Sequence, residues 1–245
     1  FKKTLIASGL LAASLAASPI MAKVDAGQAA KLGAELTAVG AEKAASADGT
    51  IPEFTGGLKD SPACYDGTSF LCNPFPDDKV LFEITAANVD QYKDKLSPGQ
   101  IAMFATYPDT YKMPIYQSRR TAALPESVYE ATKTNASTTT LVKGGNGLVD
   151  YTVRGYPFPI PNDGVEAIWN HIVRYRGESA TRITGQATPQ VNGAFNVVIF
   201  EDEVAFRFGL KDTKPGEDEN VLFYFKQKVK SPARLAGNVL LVHET

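Results

Sequence analysis

The chain has 245 residues, 44% of them hydrophobic, which is ample for a core in one large domain or two small ones. Its formal charge is −2, becoming −4 if Lys2 and Lys3 leave with a leader, so there is no basic excess for nucleic acid and no polybasic run for anionic lipid. With His171 and His243 as the only histidines, metal or triad chemistry has little material.

Lys2-Lys3, the apolar run Leu5 to Ala17 and the small-residue exit at Ala22 form a basic start, a short greasy core and a cleavage site. This pattern predicts a cleaved secretory signal over 1–22 and an exported protein. The run is too short to span a membrane comfortably, and no cysteine near the cleavage point offers a lipid anchor.

Residues 23–140 read as a helical and irregular region. Leu32, Leu36 and Val39 at helical spacing predict one or two short helices over Val24 to Ala45, weakened by Gly33 and Gly40. Asp48 to Gly57 breaks the pattern. Cys64 and Cys72, the only cysteines of an exported chain, are expected to pair as one disulfide. Thr85 to Leu96 predicts a short helix capped by Thr85, and Ser97-Pro98 opens another. Met113 to Tyr116 is expected to be extended. Arg119-Arg120 is read as a solvated pair, with a phosphate or carboxylate clamp as the alternative. Pro125 to Thr134 predicts a helix with Val128 and Ala131 inward, and Asn135 to Thr140 a turn. Lys143 to Gly147 is Gly-rich but lacks the ending of a phosphate loop, so a turn is expected.

Residues 141–245 carry the sheet, with one helix over 163–176. Pro157 to Pro161 is extended by its prolines. Asp163 caps the helix with Glu166 completing a capping box. Val165, Ile168, Trp169 and Ile172 form its apolar stripe, which is expected to pack on the sheet; Glu166, Asn170 and Arg174 form the opposite face. His171, at the edge of the stripe, is read as making a structural hydrogen bond. Arg182 to Gln190 opens the sheet, and Asn192-Gly193 predicts a two-residue hairpin into the strand from Phe195. Val198, Phe200, Val204, Phe206 and Phe208 share one face of that strand, and Val221, Phe223, Phe225 and Val229 share one face of the next. Pairing Glu203 with Lys226 and Glu201 with Lys228 sets Val204 against Phe225, Phe206 against Phe223 and Phe208 against Val221, and a one-residue slip would turn one apolar set over. The loop Gly209 to Asn220, with Pro215-Gly216, reads as a surface turn. A last apolar strand, Leu235 to Val242, lies near Thr245 with nothing after it to pair; such an edge is a hazard, so the natural sheet is expected to continue.

Several passages are familiar together: Asp90 to Gln100, Tyr111-Lys112-Met113-Pro114, Pro157 to Pro161 with Glu166 to His171, and Phe223 to Gln227 through Ala233 to Asn238. They resemble the N-terminal portion of an exported proteobacterial family, domain of unknown function thirteen-twenty-nine. That family is often labelled outer-membrane lipoprotein-sorting protein, with a fold like the LolA/LolB lipoprotein carriers. The resemblance covers nearly the whole chain. It implies an α+β fold: an open, antiparallel half-barrel with covering helices, a periplasmic home and an association with resistance-nodulation-division exporters of hydrophobic compounds. It implies no catalytic residues.

The expected function is a non-enzymatic periplasmic carrier for a lipid or other hydrophobic molecule, needing no cofactor or metal. The candidate ligand-binding residues are Trp169, Phe206, Phe208, Phe223 and Phe225, which serve equally well as plain core beneath the helix. The alternative is an adaptor linking an inner-membrane exporter to the outer membrane, recognisable by an exposed apolar patch rather than a pocket. An enzyme has little support, since G-x-S-x-G, H-E-x-x-H and a Cys–His pairing are all missing, although two-carboxylate chemistry has material enough.

Overall fold

The computed structural model describes residues 24–67, 72–213 and 221–244. The predicted signal and the Pro215-Gly216 turn lie outside these residues. The order is α1 (Ala26–Ala29), β1 (Phe82–Ile84), a 3-10 helix (Val89–Lys95), α2 (Pro98–Thr106), β2 (Met113–Ile115), α3 (Glu126–Thr138), β3 (Thr140–Leu141), β4 (Leu148–Val149), α4 (Gly164–Ile172), β5 (Ser179–Pro189), β6 (Phe195–Phe206), a 3-10 turn (Arg207–Gly209), β7 (Phe223–Ser231) and β8 (Val239–Glu244). The fold is α+β. One four-stranded antiparallel sheet, ordered β5-β6-β7-β8, accompanies two small ribbons, β1–β2 and β3–β4, and no sheet among the described residues closes into a barrel.

The large sheet keeps the register that its charges and aromatics dictate. Glu203 faces Lys226, Glu201 faces Lys228, Val204 faces Phe225 and Phe206 faces Phe223. Ion pairs lock it: Lys226 Nζ lies 2.9 Å from Glu203, while Glu201 takes its partner one step along the strand, from Lys230 at 3.1 Å. Phe208 lies past the ladder, in the 3-10 turn. The β5–β6 connection is longer than a two-residue hairpin. Gln190 and Ala194 close it through Gln190 N–H to Ala194 C=O at 2.8 Å, and Gly193 takes φ +83°, a left-handed position suited to glycine.

The core lies around α3. Val128 and Ala131 face inward as expected, beside buried Thr132, Asn135 and Ala136. The helix runs on through the Ser/Thr-rich stretch, where Thr134 and Thr138 turn their hydroxyls back onto carbonyls one turn earlier. Asn135 Nδ2 donates to Thr152 C=O at 2.9 Å, and its Oδ1 accepts from Thr152 N–H at 2.7 Å, so it satisfies a stretch of irregular backbone. Gly155 touches this helix so closely that a Cβ there would fall 2.5 Å from the Thr132 nitrogen. In the N-terminal arm one short helix forms, the four residues of α1; Gly33 and Gly40 hold φ of +84° and +90°, and turns occupy the rest. Ser97 caps α2 as the sequence predicts, and Gln100 completes a capping box that the sequence reading did not name. Ahead of it the helix is 3-10 and shorter than expected. Asn88, rather than Thr85, stands at its start and accepts the Thr85 N–H at 2.7 Å.

The orientation of α4 differs from the expectation. Its polar face is the buried one. Glu166, 6% exposed, accepts from Asn162 N–H at 2.6 Å, reaching one residue past the Asp163 cap that holds the Val165 and Glu166 amides. Asn170 brackets Phe158, accepting its N–H at 2.9 Å and donating to its C=O at 2.6 Å. These two side chains satisfy the proline-rich segment 157–162, which cannot pair as a strand, and that demand turns the helix over. Val165 and Ile168 are left 44% and 50% exposed, and α4 is not laid along the sheet.

Candidate functional site

Residues directly opposite in an antiparallel pair share a face, so the ladder fixes what the sheet presents. One face carries Phe200, Val204 and Phe206 from β6, Phe223, Phe225 and Val229 from β7, and Leu240 and Val242 from β8. The sheet thus gathers Phe206, Phe223 and Phe225, each half-buried. Arg176 lies over the Phe206 ring at 4.3 Å. Phe208 belongs to the neighbouring turn, packs on Tyr151 with centroids 5.7 Å apart, and accepts the Arg154 N–H at 2.9 Å. Burial pushes the Tyr151 hydroxyl up, and it donates to Gly155 C=O at 2.8 Å. Trp169 stands apart from the sheet aromatics. Its indole N–H donates to Gly145 C=O at 2.9 Å, so it clasps the β3–β4 turn. His171 likewise meets Arg174, Nε2 to guanidinium at 3.2 Å.

The aromatic face is open toward β8. Leu240 and Val242 are 54% and 38% exposed. A feature absent from the sequence reading interrupts the apolar row. Asp202, 1% exposed, lies between Phe200 and Val204 and accepts from Arg182 at 2.9 Å, Gln227 at 2.9 Å and Thr184 at 3.0 Å. Burial pushes its carboxyl up, but these donors outweigh burial and hold it below the usual range.

A second concavity of about 960 Å³ lies in the N-terminal region. Its floor is the apolar face of the β1–β2 ribbon, Phe82 and Ile84 against Ile115 and Met113. Tyr92 stacks on Phe82 at 5.1 Å and 15°, and with Lys95 and Leu96 forms one wall. Phe75 forms another, under the Arg119 guanidinium at 3.9 Å. Neither arginine of Arg119-Arg120 is merely solvated. Arg119 is paired with Asp78, whose carboxyl that contact holds below the usual range. Arg120 donates to Glu42 C=O at 2.6 Å and Lys43 C=O at 3.1 Å, tying the N-terminal arm to the ribbon. Cys64 and Cys72 form the expected disulfide, with Cα atoms 6.1 Å apart. The cleft was not legible in the sequence because its lining comes from segments up to seventy residues apart, from Gly49 to Thr121, with no motif spacing.

Among the described residues, no group of three or more His, Cys, Asp or Glu side chains is placed to hold a metal ion, and no helix is long and apolar enough to cross a membrane. Residues 83–245 match the family model described as "Protein of unknown function (DUF1329)". The chain belongs to that family. It is also 58% identical over 243 residues to "Uncharacterized protein PA3922" of Pseudomonas aeruginosa, a match covering 99% of this chain and 53% of that relative. The chain therefore spans about half the length of the curated relative it matches. No solved structure matches it.

Proposed function

We propose that this chain is a non-enzymatic binding or carrier module for a lipid or other hydrophobic molecule, exported to the periplasm by a cleaved signal and serving an export system. The observation that carries the reading is the aromatic face of β6–β7, which runs out to exposed Leu240 and Val242 on β8 without α4 above it. A half-barrel of the LolA/LolB kind would use such a face in the same way. Among the described residues, seven hydrophobic side chains are buried and twenty large ones are exposed. Binding would bury an acyl chain or apolar ring reversibly, contributing roughly 0.8 kcal/mol per methylene. The proposal contains no energy-using step, so direction would come from the relative affinities of donor and acceptor partners.

The adaptor reading draws on a different observation, the outward apolar stripe of α4, with Val165, Ile168 and neighbouring Val149 exposed. Native mass spectrometry with lipid extraction, on protein purified from the periplasm, separates the two. The carrier reading expects a stoichiometric hydrophobic adduct that Phe223→Asp abolishes in a folded protein. A clean unliganded mass with no uptake of added lipid, together with a photocrosslink from position 168 to a membrane protein, would replace it with the adaptor.

A further inference from the structure

We infer that the cleft over the β1–β2 ribbon is a binding site for an amphiphile with a carboxylate head and an apolar body, separate from the sheet face. Its volume of about 960 Å³ falls at the upper end of small-molecule sites, which run to about 1,000 Å³. Its floor and walls are apolar and aromatic, and some of that surface is wet: Leu81 is 63% exposed and Phe82 41%, on a ribbon whose strands are only three residues long. Apolar side chains held open by a two-stranded ribbon gain most from a ligand that dries them.

The rim sets the head-group chemistry. Lys95, Arg119 and Arg120 line the cleft against one lining carboxylate, Glu53. Asp78 engages Arg119 through two nitrogens, Nε and Nη2, of a side chain with five N–H donors, so donor capacity remains. Arg120 is satisfied by neutral carbonyls and pairs with no carboxylate among the described residues. Lys95 makes no ion pair among the described residues, and the carboxylate of nearby Asp48 accepts from Ser46 Oγ at 2.7 Å, Thr50 Oγ1 at 2.8 Å and Thr50 N–H at 3.1 Å. An apolar trough with a donor-rich, cationic lip selects a molecule that is apolar along its length and anionic at one end.

The test is isothermal titration of the full chain with decanoate and with decan-1-ol, which share the apolar tail and differ in the head. The inference expects saturable one-to-one binding of decanoate and weaker binding of decanol. Lys95→Glu should weaken decanoate about fivefold, the scale of an exposed ion pair lost and reversed. Leu81→Asp, at a 63% exposed position, should abolish the head-group-selective binding, and Phe225→Asp on the sheet should leave that binding unchanged. No saturable decanoate binding overturns the inference. So does binding that ignores the head group and Lys95→Glu. Binding lost in Phe225→Asp but kept in Leu81→Asp would also overturn it while leaving the sheet-face reading standing.

Discussion

At Asp202 the sheet holds a carboxylate, 1% exposed, in the middle of its aromatic face, where β6 otherwise alternates cleanly. Three donors from both neighbouring strands converge on it, so it pins β5, β6 and β7 to one register through polar contacts that a slipped sheet would leave unmade. Asp202→Asn would place an amide N–H₂ among those donors and should destabilise the fold by about 1–3 kcal/mol at neutral pH, measured by urea unfolding. The loss depends on pH. A carboxyl held below its ordinary value of 3.8 contributes stability that is present above that value and disappears as pH falls through the lower folded-state value. Glu201 and Glu178 behave alike, lowered from 4.5 by Lys230 and Arg154. Stability should therefore be flat from pH 7 to about 5 and fall below it, and the gap between the wild type and Asp202→Asn should narrow in acid. The alternation of β6 and β7 made their pairing legible, because Glu against Lys and Phe against Val or Phe are satisfied in one register only. Asp202 itself was illegible: a single charge in an apolar row looks like an interruption until the strands that satisfy it are known.

Helix α4 carries the lesson at the level of the element. Its start and its Asp163 cap follow from sequence, and so does its two-faced character, but it ends at Ile172, four residues short of the expected 176. Amphipathicity says that the faces differ, not which one is inside. Here the inside is chosen by the backbone of residues 157–162, whose orphan N–H and C=O groups need Glu166 and Asn170. Those partners are main-chain atoms, which leave no trace in side-chain periodicity. The prediction reverses the usual rule for an amphipathic helix. Ile168→Ser should change stability by no more than about 0.5 kcal/mol, while Glu166→Ala should cost about 1–2 kcal/mol, both read from thermal melts. The opposite ranking would mean that the stripe is buried in solution by something that covers it. The shortness of the helix in the N-terminal arm has a simpler cause, since two glycines with positive φ within eight residues end each turn before a helix can propagate.

Over the whole molecule, the sequence marked the α+β class, the antiparallel strands and the disulfide, because each depends on contacts local in sequence or on a single cysteine pair. The cleft and the exposed stripe depend on how distant segments meet. Together they describe a protein with much of its apolar surface unspent: the β8 margin of the sheet, the cleft floor and the outer side of α4. The central claim is that the aromatic face of β6–β7–β8 receives a hydrophobic molecule. Photolabelling with a long-chain alcohol carrying a diazirine, followed by peptide mapping, tests it most directly. Labels concentrated on peptides covering 195–208 and 221–242, and displaced by unlabelled alcohol, are the predicted result. Labels absent from those strands, or scattered over the surface without displacement, would contradict it.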